Sequence, residues 1–271
     1  MLLRVLLILL FSVSICFPDA GIMGEESIHE VSGGSPSCPS NLSAYYRFES
    51  GALTTDSEGS NTLTNSGTVT ANTSEYKEGS ASADFERSSN QYLYRTDANL
   101  DSGFPLKSGE SNENMTVCCW VKIEAGSQDM TIASKYNSTY NTRSWRIEIA
   151  SGDDKVYFRT GYNSGNNNQV SSGHASTLST ETWYGVAVTL DSDNNYRIRL
   201  YNSSAVHLGT DITDTFSNDV SITAADLFVG GSGAGASPTN YFDGEIDKLC
   251  IYAAELTTDQ IDDIMEGTCP D

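Results

Sequence analysis

Two segments of this sequence carry the side-chain mixture from which sugar sites are built. Tyr136-Asn137-Ser138-Thr139-Tyr140-Asn141-Thr142-Arg143 and Tyr162-Asn163-Ser164-Gly165-Asn166-Asn167-Asn168-Gln169 each combine aromatic rings with amides, and the first adds a guanidinium. An aromatic ring offers a flat apolar platform, and a few placed hydrogen-bonders fix a ligand's orientation upon it. Tyr136, Tyr140, Arg143, Trp145, Tyr162, Asn163 and Asn167 are the candidate ligand-binding residues, with Trp145 more readily read as strand core than as platform. A second chemistry is offered by Glu245-Ile246-Asp247, whose carboxyls share one face if the segment is a strand. Retaining glycoside hydrolysis needs two carboxyls about 5–5.5 Å apart. Leu249 and Cys250 stand where a further glutamate would be required, so the sequence reads as non-enzymatic. Metalloprotease, nucleophile-elbow, phosphate-loop and dinucleotide motifs are absent from it. Asp191, Asp193 and Asn195 match the first ligand spacings of an EF-hand loop, but Tyr196 replaces its glycine and Asn202 its last glutamate. A hairpin turn accounts for the same residues.

The elements that must position these side chains follow from composition and pattern. The 271 residues carry 15 Lys and Arg against 36 Asp and Glu, a net charge of -21. Such a surface repels nucleic acid and lacks the basic clusters that release its counterions. Residues 1–20 read as a signal peptide: Arg4 is followed by the apolar run Val5 to Val13, too short for a membrane span of about 20 residues. Cys16 admits a lipid-anchored alternative. Residues 21–37 form a polar Gly/Ser-rich linker, residues 38–271 one domain, and no second apolar segment follows. The expected location is therefore extracellular, without a membrane span after cleavage.

Within the domain, short alternating segments are separated by turn clusters. The pattern predicts strands over 42–49, 81–85, 91–95, 115–123, 131–135, 144–150, 155–162, 183–190, 196–202, 226–229 and 242–252. Tyr196, Ile198, Leu200 and Asn202 fall on one face, Arg197, Arg199 and Tyr201 on the other. One helix is predicted after Thr257, capped by Thr257 and Gln260, stapled by Leu256 on Ile261 and ended by Gly267. Many strands and almost no helix predict an all-β protein, a two-sheet antiparallel β-sandwich with one short C-terminal helix.

In order, the segments Leu42-Ser43-Ala44-Tyr45-Tyr46-Arg47-Phe48-Glu49, Gly79-Ser80-Ala81-Ser82-Ala83-Asp84-Phe85, Met115-Thr116-Val117-Cys118-Cys119-Trp120-Val121-Lys122, Thr182-Trp183-Tyr184-Gly185-Val186-Ala187-Val188-Thr189-Leu190-Asp191 and Phe242-Asp243-Gly244-Glu245-Ile246-Asp247-Lys248-Leu249-Cys250-Ile251-Tyr252 resemble successive strands of laminin-G-like, concanavalin A-like jelly-roll domains. The resemblance spans nearly the whole domain. It implies the fold strongly and function weakly. It implies binding sites on loops or on the concave sheet, and a glycan or an extracellular protein as partner. The alternatives are a glycan-cleaving enzyme on the same sandwich and a purely structural surface protein. Glu245-Ile246-Asp247 also resembles the start of the catalytic signature of hydrolases with this fold. First and last strands lie close in the family, which implies a Cys38–Cys269 clamp. Family position implies Cys118–Cys250, with Cys119–Cys250 as the competing pair. Arg87-Ser88-Ser89-Asn90-Gln91 resembles a pentraxin calcium segment with Ser89 in place of its acid. A single structural calcium would then use Asp56 or Asn90.

Overall fold

The computed structural model describes residues 38–137, 141–233 and 238–269. The expected signal peptide, the linker and the candidate Tyr140 lie outside the described residues. Alternation sorts the chain into two antiparallel sheets packed face to face, each strand turning alternate side chains toward the space between them. In chain order the strands are β1 Leu42–Tyr46, β2 Thr64–Ser66, β3 Thr70–Asn72, β4 Ser82–Phe85, β5 Tyr92–Arg95, β6 Met115–Ile123, β7 Met130–Asn137, β8 Thr142–Ile149, β9 Val156–Tyr162, β10 Asn167–Val170, β11 Trp183–Leu190, β12 Asn195–Tyr201, β13 His207–Thr215, β14 Leu227–Val229 and β15 Gly244–Tyr252. One sheet runs β13-β12-β11-β6-β15-β4-β3, with β1 paired to β15 as its eighth strand. The other runs β10-β9-β8-β7-β14-β5-β2.

The main core lies between the sheets. Val117, Cys119 and Val121 of β6 meet Trp145, Ile147 and Ile149 of β8 and Phe158 of β9 in one buried cluster. The outer face of the eight-stranded sheet has its own apolar layer, in which Trp120, Trp183, Ala187 and Tyr252 pack under helix α1, Thr258–Met265. That helix starts as its sequence requires. Thr257 accepts the Gln260 N–H at 3.3 Å, and the Gln260 side chain accepts the Thr257 N–H at 3.1 Å.

Register slips in several strand pairs, and the slip that bears on the cysteines is in β15. Lys248 adopts φ 48°, and the register slips between Asp247↔Trp120 and Cys250↔Cys118. This β-bulge resets the pleat. Continuous alternation would put Cys250 on the face of Ile246. Instead Ile246, Leu249 and Ile251 enter the main core, while Cys250 and Tyr252 turn outward with Cys118. Cys119 faces the main core. The bulge therefore favours the Cys118–Cys250 pairing over Cys119–Cys250. Cys38, Cys118, Cys119 and Cys269 are thiols in the structure, with Cys118 directly opposite Cys250 and the Cys38 and Cys269 side chains in hydrogen-bond contact. The bridges expected from the resemblance have their partners juxtaposed, and no bond joins Cys118 or Cys38 to them.

A groove of about 360 Å³ between β1, β15 and α1 is lined by Tyr45, Arg47, Tyr252, Ile264 and Cys269. It is the seam where the two ends of the domain meet. If the protein matures in an oxidising compartment, both juxtaposed pairs should close. Alkylation of the unreduced, denatured protein followed by peptide mapping should then label Cys119 alone of the five domain cysteines. A Cys119–Cys250 peptide would overturn the pairing that the bulge supports.

Candidate functional site

The core-facing residues of the seven-stranded sheet dictate what its outer face presents. In β8, Trp145, Ile147 and Ile149 point inward, so Arg146 and Glu148 point out. In β9, Val156 and Phe158 point inward, which sends Tyr157 and Arg159 outward. In β14 and β5, Leu227, Val229 and Leu93 are core, which leaves Phe228, Tyr92 and Tyr94 outside.

Register then aligns these residues across the sheet. Thr64 pairs with Tyr94, Tyr94 with Phe228, Phe228 with Ser134, Ser134 with Arg146, Arg146 with Arg159, and Arg159 with Val170. One transverse row therefore crosses all seven strands. From Tyr94 to Arg159 it covers four strand spacings, roughly 19 Å. Its first half is aromatic: Tyr94 stacks on Phe228 at 6.0 Å between ring centroids, and Tyr92 lies 5.6 Å from Phe228 and 6.2 Å from Tyr241. Its second half is cationic. Glu148 accepts Arg159 Nε at 3.0 Å and Nη2 at 2.7 Å on Oε1, and its Oε2 pairs with Arg146 Nη2. Arg146 donates from Nη1 to Ser232 Oγ at 3.3 Å, and its Cζ lies 4.9 Å from the Tyr136 ring centre. Burial lowers the Arg146 proton affinity, with Glu148 opposing, and a guanidinium stays charged regardless.

The structure brings four of the ligand candidates to one end of this sheet. Tyr136 pairs with Arg143 and Tyr162 with Asn167, on four adjacent strands. Tyr136 is nearly buried against Arg146, with the Arg143 guanidinium 6.0 Å from its ring centre. Arg143 Nη1 donates to the carbonyls of Gly165 and Asn166 and to Asn141 Oδ1, each at 2.8 Å. It thus braces the turn at 163–166, in which Asn163 has φ 54°. Tyr162 is half-buried, and Asn163 and Asn167 are exposed. Trp145 is corrected as a platform: it is fully buried in the main core. The face residues that the loop-based reading missed are Tyr92, Tyr94, Phe228, Tyr241, Arg146, Glu148 and Arg159. Alternation within 144–150 and 155–162 carried the signal for the charged three.

Asp56, a candidate calcium ligand, has both oxygens in use. Oδ1 accepts the N–H groups of Tyr45 and Glu58, and Oδ2 accepts the N–H and side-chain amide of Asn61, all within 3.1 Å. It pins the 56–61 turn to β1. Asn90 is an exposed turn residue at φ 54° that closes a single 3₁₀ turn. Asp191 likewise accepts from Asp193 and Asn195 N–H at 2.9 and 2.8 Å, as the β11–β12 hairpin reading requires. Among the described residues no group of three or more His, Cys, Asp or Glu side chains is arranged to hold a metal ion.

The paired carboxylates Glu245 and Asp247 lie on the other sheet. Asp247 accepts the backbone N–H groups of Lys77, Glu78 and Lys248 at 2.7–2.9 Å. Glu245 accepts Lys122 Nζ at 3.4 Å and Asn72 Nδ2 at 3.0 Å. Both fasten strand β15 to its neighbours. Burial pushes the Asp247 carboxyl up to about 6. Burial, with Glu245, Asp84, Glu86 and Asp243 nearby, pushes Glu124 up to about 7.

The family model described as "Concanavalin A-like lectin/glucanases superfamily" (Laminin_G_3) matches residues 87–262. The chain belongs to this superfamily. The concanavalin A-like sandwich also recurs among solved structures. Domain 4 of AbnA, a GH43 extracellular arabinanase from Geobacillus stearothermophilus solved in complex with arabinotriose, is 19% identical with a TM-score of 0.59, covering 83% of this chain and 98% of that one. The binding domain of botulinum neurotoxin serotype D is 16% identical with a TM-score of 0.58, over 84% of this chain and 52% of that one. The binding domain of botulinum neurotoxin DC in complex with SialylT is 15% identical with a TM-score of 0.58, over 85% of this chain and 52% of that one. This chain therefore spans about half of the toxin domains it matches. At these identities the likeness is one of fold. No curated protein matches the sequence.

Asp247 and Glu124 hold protons more tightly in the folded chain than at their ordinary values of 3.8 and 4.5. The folded state binds the extra protons between those values and the raised ones, so stability falls as pH rises through that window. Thermal melts should show a midpoint that drops between about pH 4 and about pH 7, with Glu124→Gln flattening the upper part. A midpoint that climbs over this range would contradict the assignment.

Proposed function

We propose that this concanavalin A-like protein is an exported, non-catalytic module that binds carbohydrate along the transverse row of its seven-stranded sheet. The observation that carries this reading is one register row that leads from half-buried Tyr94, packed on buried Phe228 and Tyr92 with half-buried Tyr241 beside it, to the guanidiniums of Arg146 and Arg159. Half-buried Tyr94 and Tyr241 offer apolar surface to the C–H faces of a sugar, and the guanidinium edges reach its oxygens. A row of four strand spacings suits an oligomer rather than one ring. The strands hold these groups rigidly, so little ordering entropy is lost when the ligand docks. Superfamily membership supports the reading, as does the arabinotriose complex of the arabinanase domain of like fold. Binding without turnover is favoured because Glu148, the carboxylate beside the row, has both oxygens engaged by arginines, and Glu245 and Asp247 belong to the opposite sheet. Among the described residues no helix is long and apolar enough to cross a membrane.

The test is a glycan array probed with the domain and with Tyr94→Ala and Tyr241→Ala, in calcium and in chelator. Oligosaccharide hits that survive chelation and weaken about ten-fold or more in the tyrosine variants are expected. Hits lost in chelator but untouched by either substitution would move the site away from this row. A blank array in both conditions would overturn the carbohydrate reading.

A further inference from the structure

The transverse row has a charge opposite to that of the molecule around it. The chain carries a net charge of -21, with only 15 Lys and Arg in all. Three arginines, Arg143, Arg146 and Arg159, nevertheless meet at one end of one sheet face, with Glu148 as the carboxylate among them. The next acids face other partners. Asp153 accepts the Tyr157 hydroxyl at 2.9 Å, and Asp129 accepts the Ser151 N–H at 2.9 Å. Arg143 is spent on the 163–166 turn. Arg146 and Arg159 are not. Arg146 Nε is buried and has no hydrogen-bond partner among the described residues. The Arg159 side chain is 26% exposed, and it donates from Nε and Nη2 to one oxygen of Glu148.

Two guanidiniums held side by side are costly unless something compensates them. Their mutual repulsion is visible in Arg146, whose proton affinity Arg159 lowers. One carboxylate cannot neutralise both, and a buried donor left unmatched costs free energy. A ligand carboxylate would match the exposed edge of Arg159 in the planar geometry arginine favours, with the buried Arg146 charge behind it.

We propose that the Arg146/Arg159 pair is an anion subsite that selects a carboxylate-bearing sugar, of the uronate class, within the carbohydrate row. This rests on the carbohydrate reading above and adds to it the charge of the ligand. Neutral units would lie over the tyrosine half, and the acidic unit over the arginine half. The acidic surround then serves selectivity: it repels anionic ligands everywhere except at this end of the face.

The experiment titrates oligogalacturonate and its methyl ester into the domain, in chelator so that no cation can bridge acid to acid. The free acid should bind about ten-fold or more tighter than the ester, and its affinity should fall as sodium chloride rises while that of the ester holds. Arg159→Gln should weaken the free acid more than the ester and so bring the two ligands towards parity, and Arg159→Lys should retain part of the preference. Tyr94→Ala should weaken both ligands alike. Equal affinity of the natural domain for acid and ester would overturn the anion subsite and leave the carbohydrate reading standing. Failure to bind either of them, together with a blank array, would sink both. The acid-to-ester ratio of the natural domain decides the question even if a variant fails to fold.

Discussion

The seven-stranded sheet must give one face to the core, and everything the other face can do follows from that constraint. Trp145, Ile147, Ile149, Val156 and Phe158 are held between the sheets by the main apolar cluster. Their burial leaves Arg146, Glu148, Tyr157 and Arg159 no choice of side. A one-residue slip of β8 would expose Trp145 and turn Arg146 and Glu148 into the core. Burying an unpaired charge costs several kcal/mol, and exposing an indole forfeits its burial as well. The polar row is therefore positioned by the core beneath it rather than by its own contacts. This is why side chains from five strands can line up in one row, with the β14–β15 connection adding only Tyr241 and Ser232.

The two outer faces of the sandwich have diverged in the same physical terms. On the eight-stranded sheet the bulge at Lys248 turns Cys250 and Tyr252 outward, where Leu256, Ile261, Ile264 and Met265 cover them. That face is closed by helix α1 and braced by the cysteines at the seam. On the seven-stranded sheet Tyr92, Tyr94, Phe228 and Tyr241 form an aromatic layer of comparable size that α1 does not cover. One side of the molecule spends its outward aromatics on stability, and the other keeps them next to hydrogen-bond donors.

Much of the fold was legible because the relevant signals are local. The capping pair Thr257 and Gln260 and the alternation of Tyr196, Ile198 and Leu200 appear in the structure as the sequence implies. Strand β13 was not legible: its residues are mostly exposed at a sheet edge, so little apolar alternation marks them. The bulge in β15 was hidden because Lys248 is not a residue that announces a positive φ. The site was legible in part. Tyr136, Arg143, Tyr162 and Asn167 do converge, although 26 residues separate the two tyrosines. The loops drew attention because they are rich in asparagine, whereas Arg146, Glu148 and Arg159 sit inside strands, where charged residues pass for solvated faces. Trp145, readable as core or platform, is core, as its alternation with Arg146 and Glu148 in β8 requires.

The arrangement of Glu148 shows how a sheet face can hold cations ready in advance. A lone arginine on a strand is mobile, and its side-chain entropy must be given up when a ligand binds. Here Glu148 takes Nε and Nη2 of Arg159 on one oxygen and Arg146 on the other, so both guanidiniums are ordered before any ligand arrives. The Tyr136 ring 4.9 Å from Arg146 and the Ser232 hydroxyl limit it further. Glu148 is itself only 9% exposed, and the two arginines are what make its burial tolerable. The carboxylate and the guanidiniums thus need each other for folding. The charge left over by two cations on one anion is what the face has to offer a ligand.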